Sequence, residues 1–517
     1  MQSDSATVHV NGLEWSLDYS IGGEYNLEGD LIEVDISIAQ AFGGVRIASE
    51  HYRIDYEEFF DVVDDAAEKF IRLTDIALTE SETERFERRI TNSMRAFEYF
   101  CMGYIENSRS DTDMEAVIRN FKAAINEDPS FWGAYYNLGT TYYNLEMYEE
   151  ALSQFDFIIE KFSSFELAYL GRGLTRLQNK AYFQAYEDFI VYRDSRPLDY
   201  RGWYYAGRCA LRMKQYSKAL GYLARVIDLQ PMYSRGYYEL GNVYYATNRF
   251  RRAIFNYNQA LKLEADLVQA QKRLGESYYR MHNFNGALDQ FNNILAVFPN
   301  DPEVNFMMGI TVYKQAALDE YIDDFLEMYG LLDKEEIEAN KLKHSGEKQR
   351  IYEEMISRFY RAQMTRKNFY EATFNLALTY QEMSQPDSAL YYYNKTLQIN
   401  PGLAKARIVL AKFYENQEKY DQALEQYKQA VRINPGYFLD YPKLGREYDE
   451  IDVLDLVTKE LEQEVRVDPN NISSSLSLAN ILYARGFRGK AAGLYRKVLV
   501  LQPEQKTAKA MLAKMED

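Results

Sequence analysis

Cysteine, histidine and tryptophan are scarce in this chain of 517 residues, which contains two cysteines, four histidines and three tryptophans. The histidines are scattered along the sequence, at His9, His51, His282 and His344. No cluster of cysteine and histidine has the spacing of a metal site, and no glycine-rich phosphate loop follows a predicted strand. We therefore predict that the chain is not an enzyme and that it uses no cofactor and no metal ion.

Long apolar runs are also missing. The sequence has no uninterrupted apolar run of about eighteen residues, no basic-then-apolar leader and no lipidation cysteine near its start. As written, it predicts a soluble chain without direct membrane insertion. Its net charge of −18 further predicts no non-specific binding to nucleic acid or to anionic lipid, because like charges repel.

Small residues recur with a period of thirty-four. Glycines with this spacing are Gly139, Gly173, Gly207, Gly241, Gly275 and Gly309, and the same phase continues through Lys343, Ala377, Ala411, Gly445 and Ala479. Twelve residues after each of these lies a second column, filled by Ala151, Ala185, Ala219, Ala253, Ala287, Ala389, Ala423 and Ala491 and interrupted by Tyr321, Met355 and Val457. A third column holds eight of the eleven prolines, at Pro129, Pro197, Pro231, Pro299, Pro401, Pro435, Pro469 and Pro503.

Each period predicts a helical hairpin. A small residue in each of two successive helices lets their backbones approach closely, and proline stops the second helix because it cannot donate the helical hydrogen bond. The pattern resembles the tetratricopeptide repeat family, in segments such as "YYELGNVYYATNRFRRAIFNYNQALKLEAD". The resemblance implies a mainly α fold, a right-handed superhelical solenoid of about twelve hairpins.

The repeats and their flanks predict four regions. Residues 1–80 form a small acidic α/β domain, and residues 81–131 form a linker helix and a first divergent repeat. Eleven frames fill 132–505, of which 302–369 is degenerate, and 506–517 forms a closing helix over the last repeat. We interpret 318–367 as a worn pair of repeats with a solvated loop near His344 to Lys348; the alternative is a hinge or a partner-docking insertion.

The first eighty residues alternate apolar and polar side chains in three stretches, "LDYSIGGEY", "LIEVDISIAQ" and "VRIASEHYRI". Glycine and aspartate between them suit tight turns, so we predict a three-stranded antiparallel meander. Val8 and Val10 suggest a further short strand. Tyr56 to Leu78 predicts one amphipathic helix, with its apolar face at Phe60, Val63, Ala67, Phe70 and Ile71.

This segment resembles the small domain at the amino end of TolB and in FlgO-like envelope lipoproteins of bacteria, through a hairpin on "G-x-Y-x-x-x-G-D" at Gly23 to Asp30. In that family a further strand and helix come first, so the domain and a leader could both be truncated here. The resemblance implies a bacterial cell-envelope setting in the periplasm, for instance a secretion or motility assembly. The alternative is a cytoplasmic regulatory module of a bacterial signalling protein.

The two cysteines, Cys101 and Cys209, lie about three repeats apart. In a solenoid each repeat contacts only its neighbours, so they cannot pair within one chain. We predict that both are buried small hydrophobic residues.

Charge is distributed unevenly along the chain. Residues 1–80 carry eighteen acidic and four basic residues, whereas residues 200–301 carry fourteen basic and seven acidic residues. In the family that the repeats resemble, the first helix of each hairpin lines a concave groove. The positions that this implies here, which we expect to be exposed, are Arg201, Tyr204, Arg208, Arg212, Arg235, Tyr238, Asn242, Tyr245, Lys272, Arg273, Tyr279, Arg280, Tyr313 and Lys314. Further along, the same positions become acidic, at Glu371, Glu382, Glu415, Asp449 and Glu450.

Arginine and tyrosine together favour binding, since arginine forks onto carboxylates and tyrosine gives contact area with a polar tip. The sequence therefore predicts a non-enzymatic scaffold that holds a peptide or protein partner bearing acidic and aromatic residues. The alternative for each tyrosine is packing between helices. A second possibility is self-association, in which the basic groove binds the acidic amino-terminal domain.

Overall fold

The computed structural model describes residues 6–10, 13–17, 19–28, 31–40, 45–74, 89, 91–109, 111–328, 334–438 and 453–516. The chain forms two compact units, Met1–Val243 and Tyr244–Asp517. The first holds the β-strands and the earlier helices, and the second holds helices alone in its described part.

The described β-structure lies at the start of the first unit. Strands β1 (Ala6–Val10) and β2 (Leu13–Leu17) form an antiparallel hairpin. Strands β3 (Tyr19–Glu28), β4 (Leu31–Gln40) and β5 (Arg46–Asp55) form an antiparallel sheet in the order β3-β4-β5. The predicted three-stranded meander is confirmed, and so is the short strand at Val8 and Val10. Its partner β2 was not predicted.

Gly23 allows a close approach between two strands of this sheet. A Cβ at this position would lie 2.6 Å from the carbonyl oxygen of Asp35 on β4. Every side chain larger than hydrogen would therefore push β3 away from its neighbour, which explains the glycine in this strand.

A helix follows the sheet and covers it. After a 3-10 turn at Tyr56–Glu58, helix α1 spans Phe59–Thr74, and the remainder of the predicted segment, to Leu78, lies outside the described residues. Phe60 and Phe70 of the predicted apolar face are buried, but between them the face is displaced by one residue, because Val62 and Ala66 are buried while Val63 is exposed.

The reason for the displacement is that α1 packs against two elements. Ala66 and Phe70 pack with Ile38 of the sheet. Phe60 instead packs edge to face against Phe97, with 5.4 Å between the ring centroids. Periodicity alone gives the width of an apolar face but not the direction of each neighbour.

Helices fill the rest of the described chain. In the first unit they are α2 (Met94–Asn107), α3 (Met114–Glu127), α4 (Trp132–Asn144), α5 (Tyr148–Lys161), α6 (Glu166–Gln178), α7 (Tyr182–Ser195), α8 (Tyr200–Arg212) and α9 (Tyr216–Leu229), with α10 (Ser234–Ala246) reaching the unit's end. In the second they are α11 (Phe250–Leu263), α12 (Val268–Arg280), α13 (Phe284–Val297), α14 (Pro302–Met328), α15 (Lys334–Thr365), α16 (Tyr370–Glu382), α17 (Pro386–Ile399), α18 (Ala404–Glu415), α19 (Tyr420–Ile433), α20 (Val453–Val467), α21 (Ile472–Ala484), α22 (Arg488–Leu501) and α23 (Lys506–Glu516).

The small-residue columns are contacts between the two helices of a hairpin. A Cβ on Gly139 would lie 3.0 Å from the ring of Phe155, and one on Gly173 would lie 2.7 Å from Phe189. The alanines of the second column are fully buried, and they are Ala151, Ala185, Ala219, Ala253, Ala287, Ala389, Ala423 and Ala491. The mainly α repeat architecture predicted from these columns is therefore confirmed.

Eight of the described hairpins have a left-handed residue in their turn, on the same period. These residues have φ between +56° and +84°, and they are Glu146, Lys180, Lys214, Asn248, His282, Ser384, Glu418 and Gly486. Only the last is glycine, so each of the others carries the steric cost of a Cβ in this conformation.

Helices α14 and α15 form a single long hairpin where two degenerate frames were predicted. They have 27 and 32 residues, against 13 for α12 and 14 for α13. A Cβ on Gly309 would lie 2.6 Å from Phe359, which is the contact made elsewhere by residues sixteen apart. Since the two are fifty apart, the additional length equals one period, and this is why the repeat phase returns after the hairpin.

The predicted solvated loop near His344 to Lys348 is wrong, because this segment lies inside α15. Nε2 of His344 lies 2.8 Å from Oδ2 of Asp323 on α14. Both side chains are half-buried, and this pair ties the two long helices together well beyond the length of an ordinary repeat.

The end of the described chain packs onto the last hairpin. Ala508 of α23 is buried in the same core as Ala491 and Tyr495, and Met511 and Leu512 pack against it. The predicted repeat frame around Gly445 includes residues 439–452, which lie outside the described residues. No described helix is long and apolar enough to cross a membrane.

Candidate partner-binding groove

The predicted groove residues come from the first helices of successive hairpins. In the first unit they lie on α8 and α10. Asp199 precedes α8, and its side chain accepts a hydrogen bond from the backbone nitrogen of Arg201 at 2.9 Å, which fixes the start of the helix. The second unit carries its own set on α12 and α14, with Tyr245 just before the turn that follows α10.

Arg201 is held by its neighbours rather than free in solution. Its Nη2 lies 2.6 Å from Oδ2 of Asp199 and donates to the hydroxyl of Tyr192 at 2.8 Å. Burial raises the pKa of the Asp199 carboxyl, but the hydrogen bonds from Arg201 and Tyr192 outweigh it, and the net shift is downward. This arginine therefore has a structural partner already.

Tyr204 is not exposed, contrary to the expectation for a groove position. It is only 5 % exposed, and its ring packs edge to face against Tyr233, with 5.2 Å between centroids. Burial raises its pKa above the ordinary tyrosine range. The residue belongs to the core because Tyr233, before the next first helix, closes over it.

Arg208 lies over the Tyr204 ring and is paired with an acidic residue. Its guanidinium carbon is 5.6 Å from the centre of the Tyr204 ring, and its Nε is 3.1 Å from Oε1 of Glu239. The Glu239 side chain is only 8 % exposed. Asn242 donates to the other oxygen of the same carboxylate at 3.0 Å. The positive charge of Arg208 is thus compensated inside the protein.

Two arginines of the first unit are exposed and have no acidic partner among the described residues. Arg212 lies one turn beyond Arg208 on α8, and Arg235 lies one turn before Glu239 on α10. Tyr238, between Arg235 and Asn242, is half-buried. The free positive charge of this surface therefore comes from Arg212 and Arg235.

In the second unit, Lys272 and Arg273, the first two predicted groove residues on α12, are also paired with acidic residues. Nζ of Lys272 lies 2.7 Å from Oδ2 of Asp301, and this lysine is 17 % exposed. Arg273 pairs with Glu276 at 2.7 Å, and its guanidinium lies 5.3 Å from the ring centre of Tyr245. These contacts tie α12 to its own neighbours.

The remaining residues of the second set are more open. Arg280 is exposed with its guanidinium 5.0 Å from the ring centre of Phe250, and Tyr279 is half-buried beside Phe284. Tyr313 is 41 % exposed, and Lys314 lies over its ring at 5.8 Å. Neither Arg280 nor Lys314 has an acidic partner in the part of the chain that the structure describes.

The sequence alone did not identify the acidic residues that pair with Arg208 and Lys272, above all Glu239 and Asp301. A signal was available, because Glu239 follows Arg208 by 31 residues and Glu303 follows Lys272 by the same number. Residues slightly less than one period apart face each other on successive first helices. Of the predicted acidic positions, Glu382 is exposed and Glu371 and Glu415 are half-buried, while Asp449 and Glu450 lie outside the described residues.

The titratable side chains are not arranged for metal chemistry in the described regions, where no group of three or more His, Cys, Asp or Glu could hold an ion. Cys209 is buried and Cys101 partly buried, and both are free thiols. Burial raises the pKa of Cys209 to about 12, so it behaves as an apolar side chain, as predicted.

Four segments match family models of the tetratricopeptide repeat. They are residues 120–153, 184–236 and 380–441, matched by models described as tetratricopeptide repeat, and residues 241–282, matched by a model described as TPR repeat. No curated protein matches. The family resemblance of the repeats is thus confirmed, whereas that of the amino-terminal segment to TolB is not.

Solved structures with a similar fold include three tetratricopeptide proteins. A human IFIT1 dimer with PPP-AAAA is 17% identical over 82% of this chain and 96% of its own, with a TM-score of 0.39. MamA from Desulfovibrio magneticus is 20% identical over 34% of this chain and 98% of its own, at 0.32. YrrB, described as a TPR protein with an unusual peptide-binding site, is 21% identical over 35% and 93%, at 0.31.

Proposed function

We propose that this chain, whose repeats are tetratricopeptide repeats, is a non-enzymatic scaffold that binds acidic peptides through α8 and α10. The family matches support a role in protein–protein interaction. The finer assignment, to an acidic partner with aromatic residues, depends on the side chains of these two helices.

The observation that carries the proposal is the pair of exposed, unmatched cations Arg212 and Arg235. Between them along the two helices lies the Arg208–Glu239 pair, which is internally neutral. An acidic peptide would therefore be attracted at two separate points rather than along a continuous basic surface. Arginine at each point can fork onto a carboxylate, and this favours aspartate or glutamate over a polar uncharged residue.

The rigid surroundings of these arginines strengthen the proposal. Tyr204, Tyr233 and Tyr200 form a packed aromatic cluster, with centroid distances of 5.2 Å and 4.8 Å from the Tyr233 ring to those of Tyr204 and Tyr200. A surface that is already ordered loses little conformational entropy when a partner binds. The half-buried Tyr238 offers ring area for an apolar or aromatic side chain of the peptide.

Fluorescence anisotropy with a short labelled peptide of alternating glutamate and tyrosine tests the proposal. We expect Arg212→Glu combined with Arg235→Glu to weaken binding at least about tenfold, because two attractive contacts become repulsive. The control is Lys218→Glu combined with Arg225→Glu, which changes the net charge equally but lies on the second helix α9. Binding should also weaken with added salt. Equal affinities of the two double variants would overturn the proposal.

The cellular setting rests on the resemblance of Gly23 to Asp30 and the strands around it. We propose a bacterial cell-envelope assembly in the periplasm, with a cytoplasmic regulatory module as the alternative. Fractionation of the native organism separates these, since the first predicts release with the periplasmic fraction. Self-association through the acidic amino-terminal domain predicts an oligomer at low salt that dissociates at high salt.

A further inference from the structure

The long hairpin extends beyond its neighbours in the second unit. Helices α12, α13, α16 and α17 have 13 or 14 residues, whereas α14 has 27 and α15 has 32. The additional residues of α14 alone amount to about 20 Å of helix at 1.5 Å per residue. Because the neighbouring helices stop earlier, α14 and α15 cover only each other along this stretch.

One face of the extended part of α14 carries an apolar stripe. Tyr313, Ala317, Tyr321 and Met328 follow one another at offsets of four, four and seven residues, which places them on one side of a helix. All four are exposed, and Tyr321 and Met328 are 65% and 77% exposed. Single exposed apolar residues are ordinary, but a line of them marks a contact surface.

Two carboxylates lie on the same side of the helix as the stripe. Glu320 and Asp324 are exposed, and neither pairs with a base among the residues described. They lie one and three residues from Tyr321, so a partner that covers this tyrosine also meets both negative charges. Another acid beside them, Asp323, pairs with His344 of α15.

This combination of charge and shape selects one kind of partner. A straight helical face with apolar side chains at helical spacing is complementary to another amphipathic helix. The unmatched carboxylates require that helix to carry lysine or arginine beside its apolar residues, and they repel an anionic lipid surface. We propose that the stripe on α14 is a docking site for a basic amphipathic helix of a partner protein, separate from the surface on α8 and α10.

The probe for the test is a labelled helical peptide of leucine and lysine with amphipathic spacing, and its control is a scrambled peptide of the same composition. Two double variants disrupt the stripe in different ways, Tyr321→Ser with Met328→Ser and Glu320→Lys with Asp324→Lys. We expect each to weaken binding of the amphipathic peptide at least about tenfold. Glu335→Lys with Glu347→Lys on α15 makes the same charge change away from the stripe and should leave binding unchanged.

A shortened chain provides an independent variant. Removing residues 316–349 takes out one period and returns Gly309 and Phe359 to a spacing of sixteen, as in the other hairpins. We expect this variant to keep its helical content, to bind the glutamate–tyrosine peptide as before and to lose the leucine–lysine peptide. Should it fail to fold, the two double variants decide. The proposal is overturned if the stripe variants bind like the α15 control, or if the scrambled peptide binds as tightly.

Discussion

Gly309 and Phe359 touch across the two longest helices of the chain, and a Cβ placed on Gly309 would lie 2.6 Å from Cε1 of Phe359. The same glycine–aromatic contact joins the helices of ordinary hairpins at a spacing of sixteen residues. The same contact is present here at a spacing of fifty residues. The long hairpin therefore packs like the others near this contact, and both of its helices extend beyond it.

We expect Gly309→Ala to destabilise the chain by about 1–3 kcal/mol, because the added methyl group overpacks the contact with Phe359. Gly346 gives a matched control, since it lies in α15 with nothing within 4 Å of its Cβ position. There alanine should stabilise by about 1 kcal/mol through helix propensity. Denaturant unfolding of both variants measures this.

A second substitution tests the contact itself. Phe359→Leu removes the ring that the added methyl group would meet, so it should recover part of the loss in the Gly309→Ala background. Purely additive effects of the two changes would contradict a direct contact.

Arg208, which the sequence predicted to be an exposed groove residue, should contribute to stability through its pair with Glu239. Glu239 is nearly fully buried beside Arg208, so Arg208→Glu would place two carboxylates together. We expect a loss of about 2 kcal/mol or more in the free energy of unfolding. Arg212→Glu on the same helix, where the side chain is exposed, should change it by less than about 0.5 kcal/mol. Equal losses would show that the pair has no structural role.

The left-handed turn residues make a prediction about backbone strain. Lys214 has φ of 60°, so Lys214→Val should destabilise the chain by more than about 1 kcal/mol, since a β-branched side chain is disfavoured there. Lys214→Gly should be neutral or stabilise by up to about 1 kcal/mol. Gly486→Ala, at φ of 84°, should destabilise. Thermal melting of the three variants checks the order, and a stable valine variant would contradict it.

Glu464 predicts a pH-dependent contribution in the last repeats. Hydrogen bonds from Arg432 at 2.8 Å and from Ser474 at 2.6 Å lower the pKa of its carboxyl. The pKa of this carboxyl is therefore lower in the folded chain than in the unfolded chain, where it is about 4.3, so its ionisation stabilises the fold at pH values above about 4.3. This contribution is lost as the pH falls through the pKa of the folded state.

Glu464→Gln should therefore cost stability near neutral pH and progressively less below about pH 4. Unfolding of the two proteins across this range gives the difference, and Glu462→Gln on the same helix α20 serves as the control. A difference that stays constant with pH would contradict the assigned ionisation.

Much of the fold could be predicted because the repeat chemistry is local. Ala151 and Ala185 are buried where two helices must approach, and strand alternation gave the sheet at Leu31–Gln40. What periodicity could not give is the direction of packing, as Val62 in place of Val63 shows. It also could not separate two worn repeats from one long hairpin, because the additional residues of α14 and α15 equal one period.

The groove was only partly predictable for a related reason. Frame positions identify which residues lie on a first helix, but not which neighbours reach them. Tyr204 is covered by Tyr233, and Arg208 is neutralised by Glu239, and both partners come from the following repeat. Arg212 and Arg235 remain exposed, and neither has an acidic partner among the described residues.

The central claim is that Arg212 and Arg235 select an acidic partner. The most direct measurement is a charge exchange by isothermal titration calorimetry at low salt, in which the wild-type chain and the Arg212→Glu, Arg235→Glu variant are each titrated with a glutamate–tyrosine and a lysine–tyrosine peptide. We predict that the wild-type chain prefers the first peptide and that the variant prefers the second. Binding of the acidic peptide with equal affinity to both proteins would contradict the account.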